Sequence, residues 1–426
     1  MAHRTLKTSY SHLVDRLNRF PQGAPPSETL YKILKMLFSE REAELVSVLP
    51  IKPFSAEKAS KIWKMKLSET KKVLNELASR ALLVDMDYNG KSYYVLPPPM
   101  AGFFEFSMMR VRDDLDQKLL SELFHQYINI EEDFSRELFG SGETQLGRTF
   151  VNEPALSEDN ALHVLDYERS SEVINTASHI GIGICYCRHK AKHIGKACDA
   201  PMEICMTFGR TAASLIKHGH ARKVDKKECL DLLQQAHEQN LVQFGENVRE
   251  YVSFICNCCG CCCEALLSAR SLAVWNPIHT TNFIPEIDEE ECNGCGRCVN
   301  VCPIEAMTLV SANDPDRPKR KKSKLNEDIC LGCGVCVRVC PQENIDLKSR
   351  PKRVITPKNT LKRTVAMAVE RGKLQNLIFD NQVLLSHRAL AGVLGVIVKL
   401  PPVKQMMALA QMKSRYLENF LKRRKG

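Results

Sequence analysis

Cysteine is absent from the first 184 residues of this chain and from the last 86. All 19 cysteines therefore lie between Cys185 and Cys340. The N-terminus, MAHRTLKTSYSHLVDRL, is polar and basic and lacks the apolar core of a secretory signal. Without export to an oxidising compartment a disulfide framework is not expected, and densely spaced cysteines are then more typical of metal ligands.

Long apolar segments are also lacking. The longest uncharged apolar run is Ala389–Val398, which is followed by Lys399 and then by Pro401-Pro402. It is far shorter than the roughly 20 apolar residues that a membrane-spanning helix needs. We therefore expect a cytoplasmic protein with no transmembrane span.

One internal repeat is clear. Residues 291–305, ECNGCGRCVNVCPIE, return as residues 329–343, ICLGCGVCVRVCPQE, at an offset of 38 with ten of fifteen positions identical. Each copy has the form C-x2-C-x2-C-x3-C-P. A repeat with four cysteines per copy predicts two equivalent metal-binding loops.

These two copies resemble the bacterial two-[4Fe–4S] ferredoxins, in which three thiolates of one loop bind one cluster and the fourth binds the other. The resemblance covers residues 286–348 and implies two [4Fe–4S] clusters. The implied ligands are Cys292, Cys295, Cys298 and Cys340 for cluster 1, and Cys330, Cys333, Cys336 and Cys302 for cluster 2. Structural zinc is the alternative, but zinc sites usually have two paired-cysteine arms.

A basic insert, Arg317–Lys324 (RPKRKKSK), separates the two copies. Charge runs of this kind are usually solvated, flexible loops. The functional alternative is a docking patch for an acidic redox partner, because complementary charge accelerates encounter. Binding to nucleic acid is a third interpretation.

Ten further cysteines form two sequence clusters upstream. The motif C-x-C-x10-C-x6-C begins at Cys185, and six cysteines follow within the eight residues 256–263. These six cannot all reach one metal from a single helix or strand. The segments CYCR, GKACDAPMEICMTFG and ICNCCGCCC resemble a cysteine-rich segment that precedes ferredoxin modules in iron–sulfur proteins of anaerobic bacteria and archaea.

That resemblance implies one or two further iron–sulfur centres. We favour Cys187, Cys198 and Cys205 as ligands of a third cluster, joined by Cys185 or by one residue of 256–263. Zinc or a redox-active dithiol are alternatives. The full candidate set is Cys185, Cys187, Cys198, Cys205, Cys256, Cys258, Cys259, Cys261, Cys262 and Cys263.

Three neighbouring residues are expected to have ordinary roles. Cys229 lies in an amphipathic pattern over Lys226–His237, so we expect it to be buried in a core. His189 and His193 are flanked by basic residues, which favours a solvated surface loop over metal ligation.

Residues 26–98 predict a helical unit that ends in a β-hairpin. Ser27 and Ser68 are suitable N-caps, and Asn89-Gly90 between two strand-like runs is a strong hairpin signal. The predicted helices cover 28–38, 41–48, 56–65 and 69–79, and the predicted strands cover 82–88 and 93–96. This order resembles a winged helix-turn-helix.

If this unit binds DNA, its recognition helix is Glu69–Ser79. Lys71, Lys72 and Asn75 would then reach bases or phosphates, and Lys91 at the hairpin tip would reach a phosphate. Winged helices also serve as protein-interaction modules, and a fold does not determine a function. We favour the interaction role.

The predicted fold class is a multidomain α+β protein. It comprises a winged-helix-like domain (26–98), a helical region (100–180), a cysteine-rich iron–sulfur domain (181–275), a ferredoxin-like two-cluster module (286–348) and a helical basic tail (358–426). Within the helical region, amphipathic patterns cover 115–127 and 167–178. The tail is expected to dock on the protein itself or on a partner, with an acidic membrane surface as a lesser alternative.

The formal net charge of +10 counts every cysteine as neutral. A cubane with four thiolates carries about −2 when oxidised, so three clusters would remove about six charges. The net charge is therefore weak support for nucleic-acid binding.

The favoured function is an electron-transfer protein or subunit that relays single electrons to a redox partner. One alternative is a redox-responsive DNA-binding regulator that uses the N-terminal unit. Another is an oxidoreductase with its own substrate site at the upstream cysteines. The sequence has no recognisable nucleotide-binding loop, dinucleotide fingerprint or catalytic acid–base pair, so we expect a component of an oxidoreductase system more than an enzyme with its own substrate.

Overall fold

A computed structural model describes residues 2–140, 142–271, 278–380 and 385–399. The chain divides into two compact units, of which the first contains residues 1–144, 214–220 and 360–426, and the second contains residues 145–213 and 221–359. No described helix is both long enough and apolar enough to cross a membrane. Pro401-Pro402 and Lys422–Lys425 lie outside the described residues.

The first unit is mainly helical, with one small antiparallel sheet. The sheet consists of β1 (Phe54–Ser55), β2 (Val84–Tyr88) and β3 (Lys91–Val95) in the order β1-β3-β2. Its helices are Ala2–Arg19, Glu28–Leu37, Glu40–Ser47, Ala56–Trp63, Leu67–Ser79, Phe104–Met108, Gln117–His125, Asp133–Gly140, Thr360–Glu370, Leu374–Ile378 and Leu385–Lys399, with a π-helical turn at Gln126–Ile130. The first helix and strand β1 had no predicted counterpart.

The predicted boundaries of the helices and strands in residues 28–96 agree with the observed boundaries to within about two residues. Ser27 caps its helix by accepting a hydrogen bond from the Leu30 N–H, as predicted. Asn89 and Gly90 have φ values of 50° and 73°, which is the backbone that a two-residue hairpin turn requires. The predicted N-cap at Ser68 is wrong, because the helix begins at Leu67. Lys66 occupies the cap position and makes no side-chain capping hydrogen bond. A serine in the first turn does not stop a helix, since N–H groups there have no partner within the helix.

The second unit is built on a six-stranded antiparallel sheet. Its strands are β4 (Gly147–Thr149), β5 (Ile180–Ile184), β6 (Glu203–Phe208), β7 (Arg222–Lys223), β8 (Val242–Glu246) and β9 (Phe254–Cys258), in the order β4-β8-β9-β6-β5-β7. The helices of this unit are Glu158–Ala161, Ser170–Thr176, Tyr186–His193, Gly209–Lys217 (which the division cuts after Ala213), Lys226–Glu238, Glu264–Ser271, Arg297–Val301 and Val335–Arg338.

One face of this sheet carries an apolar core. Ile182 of β5, Met206 of β6 and Ile255 of β9 pack there with Leu233 and Cys229 of the helix Lys226–Glu238. Cys229 is fully buried in this core, as predicted, and burial raises its pKa to about 12. It is therefore a neutral packing residue at physiological pH.

Within the second unit, the two sequence repeats fold as the matching halves of residues 283–349. The first half runs from β10 (Phe283–Ile287) to β11 (Met307–Ser311), and the second from β12 (Lys321–Leu325) to β13 (Ile345–Ser349). The halves interlock, because β10 pairs with β13 and β11 pairs with β12. The insert between the copies is thus the second strand of a hairpin and its turn, which the charge pattern did not predict.

The cysteine loops of the two halves have the same backbone. Gly294 and Gly332 both have φ of 67°, and a Cβ would lie 2.3 Å from the Lys321 carbonyl oxygen in one and 2.0 Å from the Phe283 carbonyl oxygen in the other. Only glycine fits so close to a neighbouring backbone. Residues that are 38 positions apart in the sequence therefore occupy equivalent places in the two loops.

Candidate metal centres

Six of the upstream cysteines form one group at the ends of three adjacent strands. We call this the six-cysteine group; its members are Cys185, Cys187, Cys205, Cys256, Cys258 and Cys263. Thiol contacts link Cys205 to Cys256, Cys256 to Cys258, Cys258 to Cys263, Cys263 to Cys187, and Cys187 to Cys185.

The sheet order explains how distant cysteines meet there. Strand β6 lies between β5 and β9, and its register pairs Met206 with Ile255, so Cys205 and Cys256 are the next pair along the ladder. Cys256 and Cys258 are two residues apart in a strand and so share a face. Hydrogen bonds from Cys205 and Cys258 lower the pKa of Cys256 to about 5.

The other four upstream cysteines form a tighter set. We call this the four-cysteine group; its members are Cys198, Cys259, Cys261 and Cys262, whose sulfur atoms all lie within 4.8 Å of one another. The six cysteines of residues 256–263 are thus divided three and three. The favoured trio is divided as well, since Cys198 lies in this group whereas Cys187 and Cys205 lie in the other.

A buried arginine serves both groups. Arg188 has no exposed surface, and its guanidinium donates to the carbonyl oxygens of Pro201 (2.8 Å) and Asn257 (2.7 Å). Its pKa is raised by Cys185, Cys259 and Cys258, against the opposing effect of its burial. The Nε atom is buried and has no hydrogen-bond partner among the residues that the structure describes, which fits a site that holds additional acceptor atoms.

The solvated basic loop that we predicted around His189 and His193 is wrong. Residues Tyr186–His193 form a helix in which Arg188, His189 and Lys190 are buried. Lys190 is paired with the equally buried Glu264. Arg188 lies beside thiols and Lys190 beside a carboxylate, so the charges of these two side chains are compensated inside the protein.

Four cysteines of the repeat line one enclosed cavity. These are Cys302 from the first copy and Cys330, Cys333 and Cys336 from the second, which is the set implied for cluster 2. The remaining lining is mostly apolar and includes Pro285, Pro303, Ile304, Met307, Leu325, Leu331 and Val335. Burial raises the pKa of Cys330 to about 11 and that of Cys333 to about 12, and Cys302 adds to both shifts.

The first loop has a more polar environment. The Ser323 N–H lies 3.4 Å from the Cys292 sulfur, and the Ser323 hydroxyl oxygen lies 3.0 Å from the Cys298 sulfur. The sulfur of Cys340, from the second copy, lies 2.7 Å from the side-chain oxygen of Asn344. A hydrogen bond with the Asn344 side chain also helps to lower the pKa of Cys292. The second copy thus contributes Cys340 and Asn344 beside the first loop.

Comparison with known proteins identifies this module. A family model described as a 4Fe-4S dicluster domain matches residues 291–344. Residues 291–344 are a 4Fe-4S dicluster domain. It binds two [4Fe–4S] clusters, and the crossed arrangement of its cysteines fits that cofactor.

One curated relative is similar over a short stretch of this chain. It is a heterodisulfide reductase A-like protein of Archaeoglobus profundus, 38% identical over 53 residues, which are 12% of this chain and 8% of the relative. No solved structure matches the chain.

The dicluster domain is in direct contact with the loop that carries the four-cysteine group. Gly260, within the four-cysteine group's loop, lies against Pro303, which follows Cys302: a Cβ on Gly260 would be 2.7 Å from the Pro303 carbonyl oxygen. Arg270 holds this junction by donating to the Gly260 carbonyl oxygen and to Glu305. No sequence signal predicted this contact.

The sequence analysis also missed Ser323 and Asn344, which lie beside the sulfurs. A comparison of the two halves of the module would have found them. At the offset of 38 residues, Ser323 corresponds to Pro285, and Asn344 corresponds to Ala306. The two halves therefore differ at positions next to the thiolates while agreeing at the ligands themselves. Such differences are a signal for unequal cluster environments.

Proposed function

We propose that this protein relays single electrons between the two clusters of its dicluster domain and a further iron–sulfur centre held by the six-cysteine group. Iron–sulfur clusters supply one-electron chemistry, with potentials set by burial and hydrogen bonding.

The contact between Gly260 and Pro303 carries the proposal. One short loop, residues 259–263, contributes three thiols to the four-cysteine group and Cys263 to the six-cysteine group. The same loop touches the residue that follows Cys302, which lines the cavity with Cys330, Cys333 and Cys336. A relay needs its centres close together, and this junction connects upstream thiols to a cluster ligand through adjacent residues.

The proposed partner is an acidic redox protein that docks beside the first cysteine loop of the dicluster domain. Cys295 is exposed there, and Arg297 and Arg338 flank an open groove beside Cys340. Within the basic insert Arg317, Arg320 and Lys322 already pair with Asp314 or Glu289. The exposed Lys319, Lys321 and Lys324 are therefore the cations of the insert that we assign to docking.

The match to a heterodisulfide reductase A-like protein is consistent with this role. The match covers 53 residues, only 8% of the relative, so it supports an electron-transfer component of an oxidoreductase system and nothing about a substrate.

Iron counting of the anaerobically purified full-length chain and EPR of its reduced form test the proposal. Two [4Fe–4S] clusters account for about eight iron atoms, so we expect a count clearly above eight and an EPR signal beyond those of the dicluster domain. Serine at Cys205 together with Cys256 should remove the excess iron, apart from any single ion at the four-cysteine group, and leave the dicluster signals. An iron count of eight, or zinc in place of iron at the dicluster domain, would refute the relay.

The junction itself can be tested by Gly260→Ala. The added methyl group would collide with the Pro303 backbone, so we expect the loop to move and electron transfer between the upstream centre and the dicluster domain to slow several-fold in freeze-quench EPR. Gly140→Ala is the control, because a Cβ there meets nothing within 4 Å. Equal rates in the two variants would contradict a relay through this contact.

A redox-responsive DNA-binding regulator is the second candidate, supported by one observation. Residues 28–95 combine four helices with a three-stranded sheet whose β2–β3 hairpin follows the helix Leu67–Ser79, an order that suits a winged helix. A regulator of this kind should bind DNA with an affinity that falls steeply with salt and changes with cluster oxidation. Absence of salt-sensitive binding by the cluster-loaded protein would eliminate this candidate.

A further inference from the structure

The sulfur–sulfur distances of the four-cysteine group are short. Cys198 lies 3.6 Å from Cys259 and 3.8 Å from Cys262, and Cys261 lies 3.7 Å from Cys262. All the remaining sulfur–sulfur distances in the group are within 4.8 Å. Four thiols therefore converge on one small volume.

These distances match a single metal ion. A tetrahedron with metal–sulfur bonds of about 2.3 Å has sulfur–sulfur edges of about 3.8 Å. In a cubane each thiolate binds a different iron atom, so the thiolate sulfurs stand farther apart than those edges. The dicluster domain provides an internal comparison, because among its described residues no three cysteines are gathered within 4.8 Å.

We propose that the four-cysteine group binds one metal ion, zinc or iron, in tetrahedral all-thiolate coordination. Four protein ligands leave no open position, which is the arrangement of a structural site and not of a catalytic one. The proposal concerns a site separate from the relay, so its failure would leave the relay standing.

The surroundings give the ion a structural role. Cys198 follows the helix Tyr186–His193, whereas the other three ligands lie after strand β9, so the ion would tie together two segments about sixty residues apart. Cys259 packs against the buried cluster of Ile204, Ala236 and Leu241, and Cys261 is exposed. Arg188 beside Cys259 compensates the charge of the thiolates.

The ion would also fix the loop that reaches the dicluster domain. Gly260 lies between two of the ligands and packs on Pro303. A closed metal site at this position holds the loop in place without itself having to change oxidation state. The function inferred for this centre is thus to position the contact between the upstream cysteines and the cluster ligand Cys302.

Spectroscopy of the unmodified full-length protein tests the coordination directly. The protein is produced in cells grown with 57Fe and is purified anaerobically. Zinc is then examined by X-ray absorption at the zinc edge, and iron by Mössbauer spectroscopy. We expect one ion per chain, coordinated by four sulfur atoms. A zinc ion would show four sulfur neighbours at the zinc edge, and an iron ion would give the Mössbauer signal of mononuclear iron. A spectrum that contains only cubane iron, with no zinc bound, would overturn the proposal.

Variants then assign the ion to these residues. Cys198→Ser and Cys262→Ser should each reduce the content of this ion several-fold, with dicluster EPR signals unchanged. Cys229→Ala is the matched control, because Cys229 lies in the apolar core among residues such as Ile182 and Leu233. Retention of the ion in both serine variants, or its equal loss in the control, would contradict the assignment; the unmodified protein decides the coordination even if a variant fails to fold.

Discussion

Replacing Ser323 by alanine is expected to lower the potential of the cluster assigned to Cys292, Cys295, Cys298 and Cys340 by about 40 mV, with the other cluster unchanged. Hydrogen bonds to thiolate sulfur stabilise the reduced, more negative cluster. A bond worth about 1 kcal/mol more in the reduced state corresponds to about 40 mV, because about 1.4 kcal/mol is about 59 mV for one electron.

The structural reason lies in the difference between the two repeat copies. The Ser323 hydroxyl is 3.0 Å from the Cys298 sulfur, whereas Pro285 occupies the corresponding position in the other half and has neither a hydroxyl nor an N–H. Pro285 also lines the apolar cavity of Cys302, Cys330, Cys333 and Cys336. An apolar site disfavours added negative charge, so the cluster in that cavity should have the lower potential of the two.

An EPR-monitored redox titration of the full-length protein measures both potentials. Ser311→Ala is the control, because Ser311 is exposed on the same hairpin and accepts a hydrogen bond from the Asn313 N–H. If Ser323→Ala moves neither potential, or moves both equally, the hydroxyl does not tune this cluster. A lower potential for the cluster near Ser323 in the unmodified protein would reverse the proposed order.

What could be predicted from the sequence was encoded locally. The cap at Ser27, the Asn89-Gly90 turn and the C-x2-C-x2-C-x3-C-P loops each depend on a few consecutive residues, and each is found as predicted in position or type. The burial of Cys229 followed from a helical period. Patterns of this range specify elements and their faces.

The predictions that failed or were absent depend on strand order and on burial. The sequence of residues 256–263 does not indicate that β6 lies beside β9. That strand order determines which cysteines lie close to Cys205. Arg188 has the local features of a surface residue, but it is buried beside thiols from two segments, Cys185 and Cys258–Cys259. Strand β12 was hidden because its basic side chains mask the alternation that predicts a strand.

Replacing Arg188 by methionine is expected to give the largest loss of stability among single changes in this unit. The substitution leaves the carbonyl groups of Pro201 and Asn257 buried without their donor, and it removes the cation beside Cys185 and Cys259. Removing one partner of a buried charged pair costs about 3–5 kcal/mol. Methionine fills much of the same volume, so a cavity contributes little to the effect.

The same variant should lose metal upstream and retain it in the dicluster domain. Thiolates without a nearby cation hold an additional negative charge less well, so iron above the dicluster content should fall by at least half while the dicluster EPR signals persist. Arg188→Lys separates charge from geometry: lysine restores the cation, but it does not reproduce the planar fork that donates to two carbonyl oxygens. We therefore expect an intermediate metal content and an intermediate stability.

Denaturant unfolding under anaerobic conditions and metal analysis provide the two measurements. Arg222→Met is the matched control, because Arg222 is half-exposed and pairs with Glu228 on the surface, where an ion pair is worth about 0–1 kcal/mol. If Arg188→Met unfolds at the same denaturant concentration as Arg222→Met, its buried charge does not stabilise the unit. If stability falls but upstream iron is retained, Arg188 supports the fold alone, and compensation of the thiolates must come from Lys190 or from the metal itself.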